Sequence, residues 1–163
     1  MNTNKLLDYC LFIDLDGVLV DFDFGVKKIF RQSAMDVPDR VMWPRLARTP
    51  NFYTDLPWLP DGKELWNFVL RYNPYILTGL PMGGWAEAQK REWCARELGP
   101  EIPVITCLSR HKHIQAKDVS ENRTPILVDD REKLRVAWES VGGIFILHTS
   151  AAESIAQLKT HGF

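Results

Sequence analysis

Two aspartates, Asp14 and Asp16, stand two positions apart where the apolar run 10–13 gives way to Gly17. Side chains alternate across a strand, so both carboxylates leave on one side while Leu15 leaves on the other. Unpaired carboxylates at a buried strand end are costly to desolvate, and a bound hard cation compensates them. Asp16-Gly17 alone would read as a chain reversal. The apolar lead-in, the spacing of two and the apolar run 18–20 favour a site instead. Three further apolar runs end on polar groups: Thr78-Gly79 after 75–77, Lys112 after 103–107, and Asp129-Asp130 after 125–128. Three or four carboxylates, a hydroxyl and an ammonium make an inventory for phosphoryl transfer assisted by a hard divalent cation. Oxygen ligands without a suitably placed Cys/His set favour Mg²⁺ over zinc. His111 and His113, flanking Lys112, read as a solvated loop. Asp129-Asp130 also has a plain reading, as the cap of a helix beginning near 132. In company with Asp14 and Asp16 that reading is the weaker.

The elements that must position these groups alternate. Strands are expected at 10–13, 75–77, 103–107, 125–128 and 144–147, and helices over 24–34, 62–72, 85–98, 132–141 and 151–159. Asp61 lies three residues before Glu64, a capping-box arrangement for the second helix. Such alternation predicts an α/β fold, a Rossmann-like parallel sheet with helices on both faces. In such a sheet the polar strand ends converge on one edge, where open α/β sheets bind their ligands.

The segment 36–60 differs from the rest. Its five prolines forbid long regular elements, so short helices and turns are expected there. Its aromatics form either a mini-core packed on the main domain or a small cap. In the second case Trp43, Phe52, Tyr53 or Trp58 would be available to stack on a planar substrate group.

The chain of 163 residues is expected to form one domain, 1–163, with a small, mainly helical cap insert at approximately 24–60. A net charge of −1 gives no global attraction to nucleic acid or anionic membrane, so any phosphate affinity must be local. Cys10, Cys94 and Cys107 form no CxxC pair and suit free thiols in a reducing compartment. No secretory apolar stretch is visible in residues 1–5, and no segment has membrane-spanning length. A cytoplasmic location is the expectation.

In order and strand context, Phe12-Ile13-Asp14-Leu15-Asp16-Gly17-Val18 resembles the first signature of the haloacid-dehalogenase-like (HAD) phosphatases. Ile76-Leu77-Thr78-Gly79 resembles their second motif and Ile126-Leu127-Val128-Asp129-Asp130 their fourth. Within that superfamily, Trp43, Asn51-Phe52, Leu56-Pro57, Trp93, Gly99-Pro100 and Arg131 resemble the 5′(3′)-deoxyribonucleotidase branch.

The resemblance implies Asp14 as nucleophile and Asp16 as general acid, then base. It implies Thr78, with Gly79, at the phosphoryl oxygens and a lysine neutralising them. Asp14, the main-chain carbonyl of Asp16 and Asp129 would hold Mg²⁺, with Asp130 nearby. Lys112 follows the third strand closely, as the lysine should, but sixteen residues separate it from Asp129 and Lys117 lies nearer. Lys112 is favoured and Lys117 kept as the alternative. Lys90 and Arg131 read as surface charges.

The leading expectation is an Mg²⁺-dependent phosphomonoesterase acting through an aspartyl-phosphate on a small phosphomonoester, a nucleoside monophosphate first. No membrane partner is expected. A phosphatase of nucleic-acid ends would need a basic stripe, of which only 110–117 is visible, so a nucleic-acid partner is disfavoured. A phosphatase of some other small ester and a non-catalytic binding module on the same fold complete the alternatives. The presence of both Asp14 and Asp16 argues against the module.

Overall fold

The structure is a computed structural model that describes residues 8–163. The N-terminal stretch inspected above for a leader lies outside those residues. Five strands, β1 (Tyr9–Ile13), β2 (Tyr75–Gly79), β3 (Val104–Cys107), β4 (Thr124–Asp129) and β5 (Ile144–Leu147), form one sheet in the order β3-β2-β1-β4-β5. Every pairing is parallel. The chain moves from β1 to one edge of the sheet and then restarts on the other side of β1. The switch point therefore falls between β1 and β4, whose C-terminal ends carry Asp14 and Asp129.

Alternation along β1 builds two cores. Leu11 and Ile13 enter the larger one, which also takes Leu65, Trp66 and Val69 of α3 (Gly62–Val69) and Trp93 and Cys94 of α4 (Glu87–Glu97). Ala151 and Leu158 of α7 (Ala151–Thr160) complete that face. Cys10 and Phe12 point the other way, toward Ala116 of α5 (Lys112–Ser120) and Trp138 of α6 (Arg135–Glu139). Helices therefore cover both faces of the sheet. The fold is the Rossmann-like α/β arrangement that the strand–helix alternation predicts, consistent with the HAD-like fold that the motif resemblance implies.

Between β1 and α3 lie α1 (Phe22–Phe30) and α2 (Asp39–Ala47), the helices of the small insert. Its apolar residues Val26, Val37, Met42, Leu46, Phe52 and Leu56 join the larger core, so it is packed onto the sheet domain. The first of these helices sits earlier than the 24–34 expected. The Asp21 carboxylate accepts from Phe24 N at 2.9 Å and starts it, and Arg31 stops it in a left-handed conformation (φ 60°). Helix α2 runs nine residues through Pro44, longer than five prolines suggested.

Three further expectations need correction. Asp61 does not close a capping box on α3; its carboxylate accepts from Ala151 N at 2.7 Å and ties the start of α7 to the start of α3. His111 and His113 do not lie in a solvated loop: a 3₁₀ turn (Ser109–His111) leads into α5, which contains Lys112 and His113. That helix buries Lys112, Ala116 and Ser120, one stripe at i, i+4, i+8. Two of the three buried residues are polar, so hydrophobic periodicity gave no sign of it. The predicted helix over 132–141 is a 3₁₀ turn (Glu132–Leu134) followed by the short α6. Cys10, Cys94 and Cys107 are free, the first two buried.

Candidate active site

The chain leaves β1 at Ile13 and winds immediately into a tight turn. Asp14 N donates to Val128 O at 3.0 Å, which extends the β1–β4 ladder by one step and delivers the carboxylate to the switch point. Leu19 N and Val20 N both return to Leu15 O, so Leu15 turns into the core while Asp14 and Asp16 face a common cavity. Gly17 makes the turn possible. Its φ is +77°, and a Cβ there would lie 2.2 Å from Asp130 Oδ2. The glycine thus lets the ends of β1 and β4 approach, bringing Asp130 over the first pair of aspartates. Gly79 has a similar function at the end of β2, where a Cβ would meet Ser109 Oγ at 2.0 Å.

Asp14, Asp129 and Asp130 each present one oxygen within 4.8 Å of the others. Lys112, at the first turn of α5, reaches across and places Nζ 2.7 Å from Asp14 Oδ1 and 2.7 Å from Asp129 Oδ2. All three residues of that bridge are buried. Burial works against the Lys112 charge, but Asp14 and Asp129 outweigh it and hold its pKa above the usual lysine range. Burial, reinforced by the charge on Asp14, lifts Asp129 to about 6. Partial desolvation at the cavity, then the charges of Asp14 and Asp129, lift the exposed Asp130 carboxyl to about 7. Asp129 Oδ1 also accepts from Arg131 N at 2.9 Å, a local turn bond that fixes its orientation.

A second lysine sits beside the first. Lys90 lies on α4 with a side chain 1% exposed, and Nζ donates to Asp16 Oδ2 at 2.5 Å, Gly79 O at 2.7 Å and Thr78 Oγ1 at 3.0 Å. The reading of Lys90 as a surface charge is therefore overturned. The residue falls on the buried stripe of α4 with Ala86, Trp93 and Cys94, at i, i−4, i+3 and i+4. That spacing was the signal available in the sequence. Burial pushes the Asp16 carboxyl above its ordinary range; Lys90 opposes that shift and Asp14 adds to it. Asp16 Oδ1 is buried without a hydrogen-bond partner.

The donor set suits a hard divalent ion. Four carboxylates (Asp14, Asp16, Asp129, Asp130) face two buried ammonium groups, leaving a surplus of two negative charges. Desolvation first, and the neighbouring carboxylates second, raise the pKa values of Asp129 and Asp130. Oxygen ligands and this charge match Mg²⁺. Among the described residues, the group of acids, cysteines or histidines able to share an ion is Asp14, Asp129 and Asp130; His111 and His113 are not part of it. The Asp16 carboxylate is engaged by Lys90 instead.

Above the acids lies a cavity of about 520 Å³. Asp14, Asp16, Gly79, Asp130 and Arg131 line its floor, and Phe22, Met42, Trp43 and Tyr53 of the insert line its wall. Phe22 packs against Trp43 at 5.9 Å and lies roughly parallel to Tyr53 at 6.1 Å between ring centres. Burial first, then the charges of Asp16 and Asp14, keeps the Tyr53 hydroxyl protonated well past its ordinary range.

The structure thus brings together Asp14, Asp16, Thr78, Gly79, Lys112, Asp129 and Asp130, with Trp43 on the cavity wall. It does not bring in Lys117, exposed on the far part of α5, or Phe52, which is 5% exposed and packs behind Tyr53 against Phe22 and Trp85. Thr78 is fully buried, with its hydroxyl receiving Lys90. Phe22, Lys90 and Arg131 belong to the site surroundings and were not assigned there from sequence. The aromatic expectation for the insert divides in two: Trp43 and Tyr53 form wall, Phe52 and Trp58 form packing.

This chain is 26% identical over 165 residues to the cytosolic type of 5′(3′)-deoxyribonucleotidase from Homo sapiens, an alignment covering 85% of this chain and 79% of that protein. The chain resembles a deoxyribonucleotidase. The likeness agrees with the motif order along β1, β2 and β4 and with the HAD-like sheet, and it favours a phosphatase at the level of reaction chemistry. No protein-family model matches the chain. No helix among the described residues is long and apolar enough to cross a membrane.

Proposed function

We propose that this protein is an Mg²⁺-dependent phosphomonoesterase that acts through an aspartyl-phosphate, with nucleoside monophosphates as its preferred substrates. One observation carries the reading: four carboxylates and two buried lysines meet at the switch point of a parallel sheet, directly beneath an aromatic-walled cavity. Asp14 is the nucleophile. Its Oδ1 is engaged by Lys112, which leaves Oδ2 to attack phosphorus while the bond to the ester oxygen breaks. Asp16 gives its proton to the departing oxygen, then takes one from the water that attacks the phosphoryl group and releases it from Asp14. Lys112 offsets the negative charge of the phosphoryl oxygens, with Thr78 and Gly79 fixing the end of β2 beside them.

Asp14, Asp129 and Asp130, with the main-chain carbonyl of Asp16, would hold the ion, which when bound lowers the repulsion between an attacking carboxylate and a phosphate dianion. The insert over approximately 24–60 acts as the cap. Its wall of Phe22, Trp43 and Tyr53 offers a planar base a stacking surface, and stacking is worth about 1–3 kcal/mol per base in nucleic-acid precedents.

A second reading, a phosphatase of nucleic-acid ends, has one observation in its favour. A neighbouring cavity of about 580 Å³ shares Trp43, Leu80, Pro81 and Ser109 with the first and carries Arg110 and Lys133 without a carboxylate. A screen of nucleoside monophosphates, sugar phosphates, para-nitrophenyl phosphate and end-phosphorylated oligonucleotides, with Mg²⁺ and with EDTA, separates the readings. The expected result is Mg²⁺-dependent hydrolysis with the highest kcat/KM on nucleoside monophosphates. Preference for sugar phosphates would remove the nucleotide assignment, preference for oligonucleotides would favour the second reading, and inertness toward all four would remove both.

A further inference from the structure

Asp16 is attached to the rest of the site through one side chain, that of Lys90. An ammonium has three protons, and in Lys90 all three are engaged. Two are held by groups at the end of β2, Gly79 O at 2.7 Å and Thr78 Oγ1 at 3.0 Å, neither of which moves independently of the sheet. The third goes to Asp16 Oδ2 at 2.5 Å. The ring of Tyr53 closes a further side of the cation, 4.4 Å from its centre. The contrast with Lys112 is informative, since that lysine bridges Asp14 and Asp129 and meets charge with charge. Lys90 spends two of its three protons on neutral oxygens of one strand end. Simple neutralisation of Asp16 would not need that, whereas fixing the position of the third proton does.

We propose that Lys90 is a positioning residue: anchored on Thr78 and Gly79, it holds Asp16 by Oδ2 and so fixes the orientation of the carboxyl group that exchanges a proton with the substrate. Asp16 lines the cavity, and apart from Lys90 its carboxylate has no hydrogen-bond partner, its buried Oδ1 having none. Lys90 touches no reacting atom. The inference rests on the acid–base assignment of Asp16 made above and extends it to a residue on a different element, α4.

The test compares wild type, Lys90→Met, Asp16→Asn and the double variant on two substrates, a nucleoside monophosphate and 2,4-dinitrophenyl phosphate, whose leaving group needs no acid. Positioned proton transfer contributes 10²–10⁴-fold in enzymes generally, so Lys90→Met is expected to lose about 100-fold in kcat/KM on the nucleotide and roughly tenfold less on the activated ester. On the nucleotide the double variant should fall within about threefold of Asp16→Asn alone, because both changes remove one interaction. Equal losses on the two esters, or losses that multiply in the double variant, would overturn the proposal and leave Lys90 a structural cation.

If the unpaired Asp16 carboxylate prevents Lys90→Met from melting cooperatively, the double variant removes both charges together, and its comparison with Asp16→Asn decides the question alone. Failure of the wild-type protein to hydrolyse either ester is a different result. It would overturn the phosphatase reading itself, and this inference with it.

Discussion

The acidic residues of the site have different partners. Asp14 shares the Lys112 bridge, Asp16 is held by Lys90 and raised by burial, and Asp129 and Asp130 are lifted to about 6 and about 7. Asp129 has the most constrained environment of the metal-site candidates, fully buried between Lys112 and Arg131 N. Asp129→Ala deletes a hard oxygen ligand, so the Mg²⁺ concentration for half-maximal activity should rise about tenfold or more, a loss within the range for disturbed metal shells. A titration of activity against Mg²⁺ measures it; an unchanged midpoint would remove Asp129 from the ligand set. At this scale the sequence was legible where a polar group followed an apolar strand, as at Asp14, Thr78 and Asp129. It was misleading where a cation was buried on a helix, because charge outweighed the helical spacing with Ala86, Trp93 and Cys94. Lys90 is the clearest case, because an ammonium at a core position looks like a surface charge until three acceptors are seen around it.

Among the elements, α4 links the insert to the chemistry. It carries Lys90, and it also holds the insert through five hydrogen bonds. Tyr53 N reaches Gln89 Oε1, Thr54 Oγ1 reaches Glu92 Oε2, Trp58 Nε1 reaches Glu97 Oε2, Trp93 Nε1 reaches Leu56 O and Arg96 NH2 reaches Thr54 O. The wall above Asp14 is therefore fixed by the helix that fixes Asp16. The aromatic residues of the insert divide by position, and their variants should divide in the same way. Phe52→Ala empties a buried site and should cost about 3–5 kcal/mol of stability, seen as a lower Tm with all activities reduced together. Trp43→Ala removes half-exposed wall and should keep Tm close to wild type. It should lower kcat/KM for a nucleoside monophosphate about tenfold relative to para-nitrophenyl phosphate, in line with loss of one stacking contact. Equal loss on both substrates would show Trp43 to be packing. The sequence displayed the strands and α7 closely, since their burial pattern is apolar and regular. It concealed α5, whose buried stripe is a lysine, an alanine and a serine, and it misassigned Asp61, whose partner lies 90 residues away.

For the molecule as a whole, the parallel sheet concentrates negative charge on one edge, and the consequence is a linkage between protons, metal and stability. The pKa values of Asp129 and Asp130 are raised above the ordinary carboxylate value in the folded protein. Their neutral forms favour the folded state at low pH, and that contribution is lost as pH rises through about 6 and then about 7. His148, buried against Ser154 with its pKa lowered by burial, acts in the opposite sense as the pH falls, so the metal-free protein alone is a blunt probe. The increase in Tm produced by Mg²⁺ isolates the effect. Ligand carboxylates must lose their protons to bind the ion, so this increase should grow between pH ~5 and pH ~8. A shift independent of pH would contradict the acidic ligand set. The arrangement of the sheet was readable from alternating strands and helices, and with it the convergence of the strand ends. The shape of the cavity was not, because it depends on which insert aromatics face inward.

In the proposed reaction Asp14 carries the phosphoryl group. The most direct measurement is acid quenching of the Asp16→Asn variant during turnover of 2,4-dinitrophenyl phosphate with Mg²⁺, followed by peptide mass spectrometry. This leaving group departs without an acid, while release from the enzyme lacks its base, so the covalent form should accumulate. One phosphate is expected on the peptide containing Asp14, absent with EDTA and absent from the Asp14→Asn protein. Phosphate release from the ester by the Asp14→Asn protein at a rate near that of wild type, or a covalent phosphate located on any other residue, would contradict it.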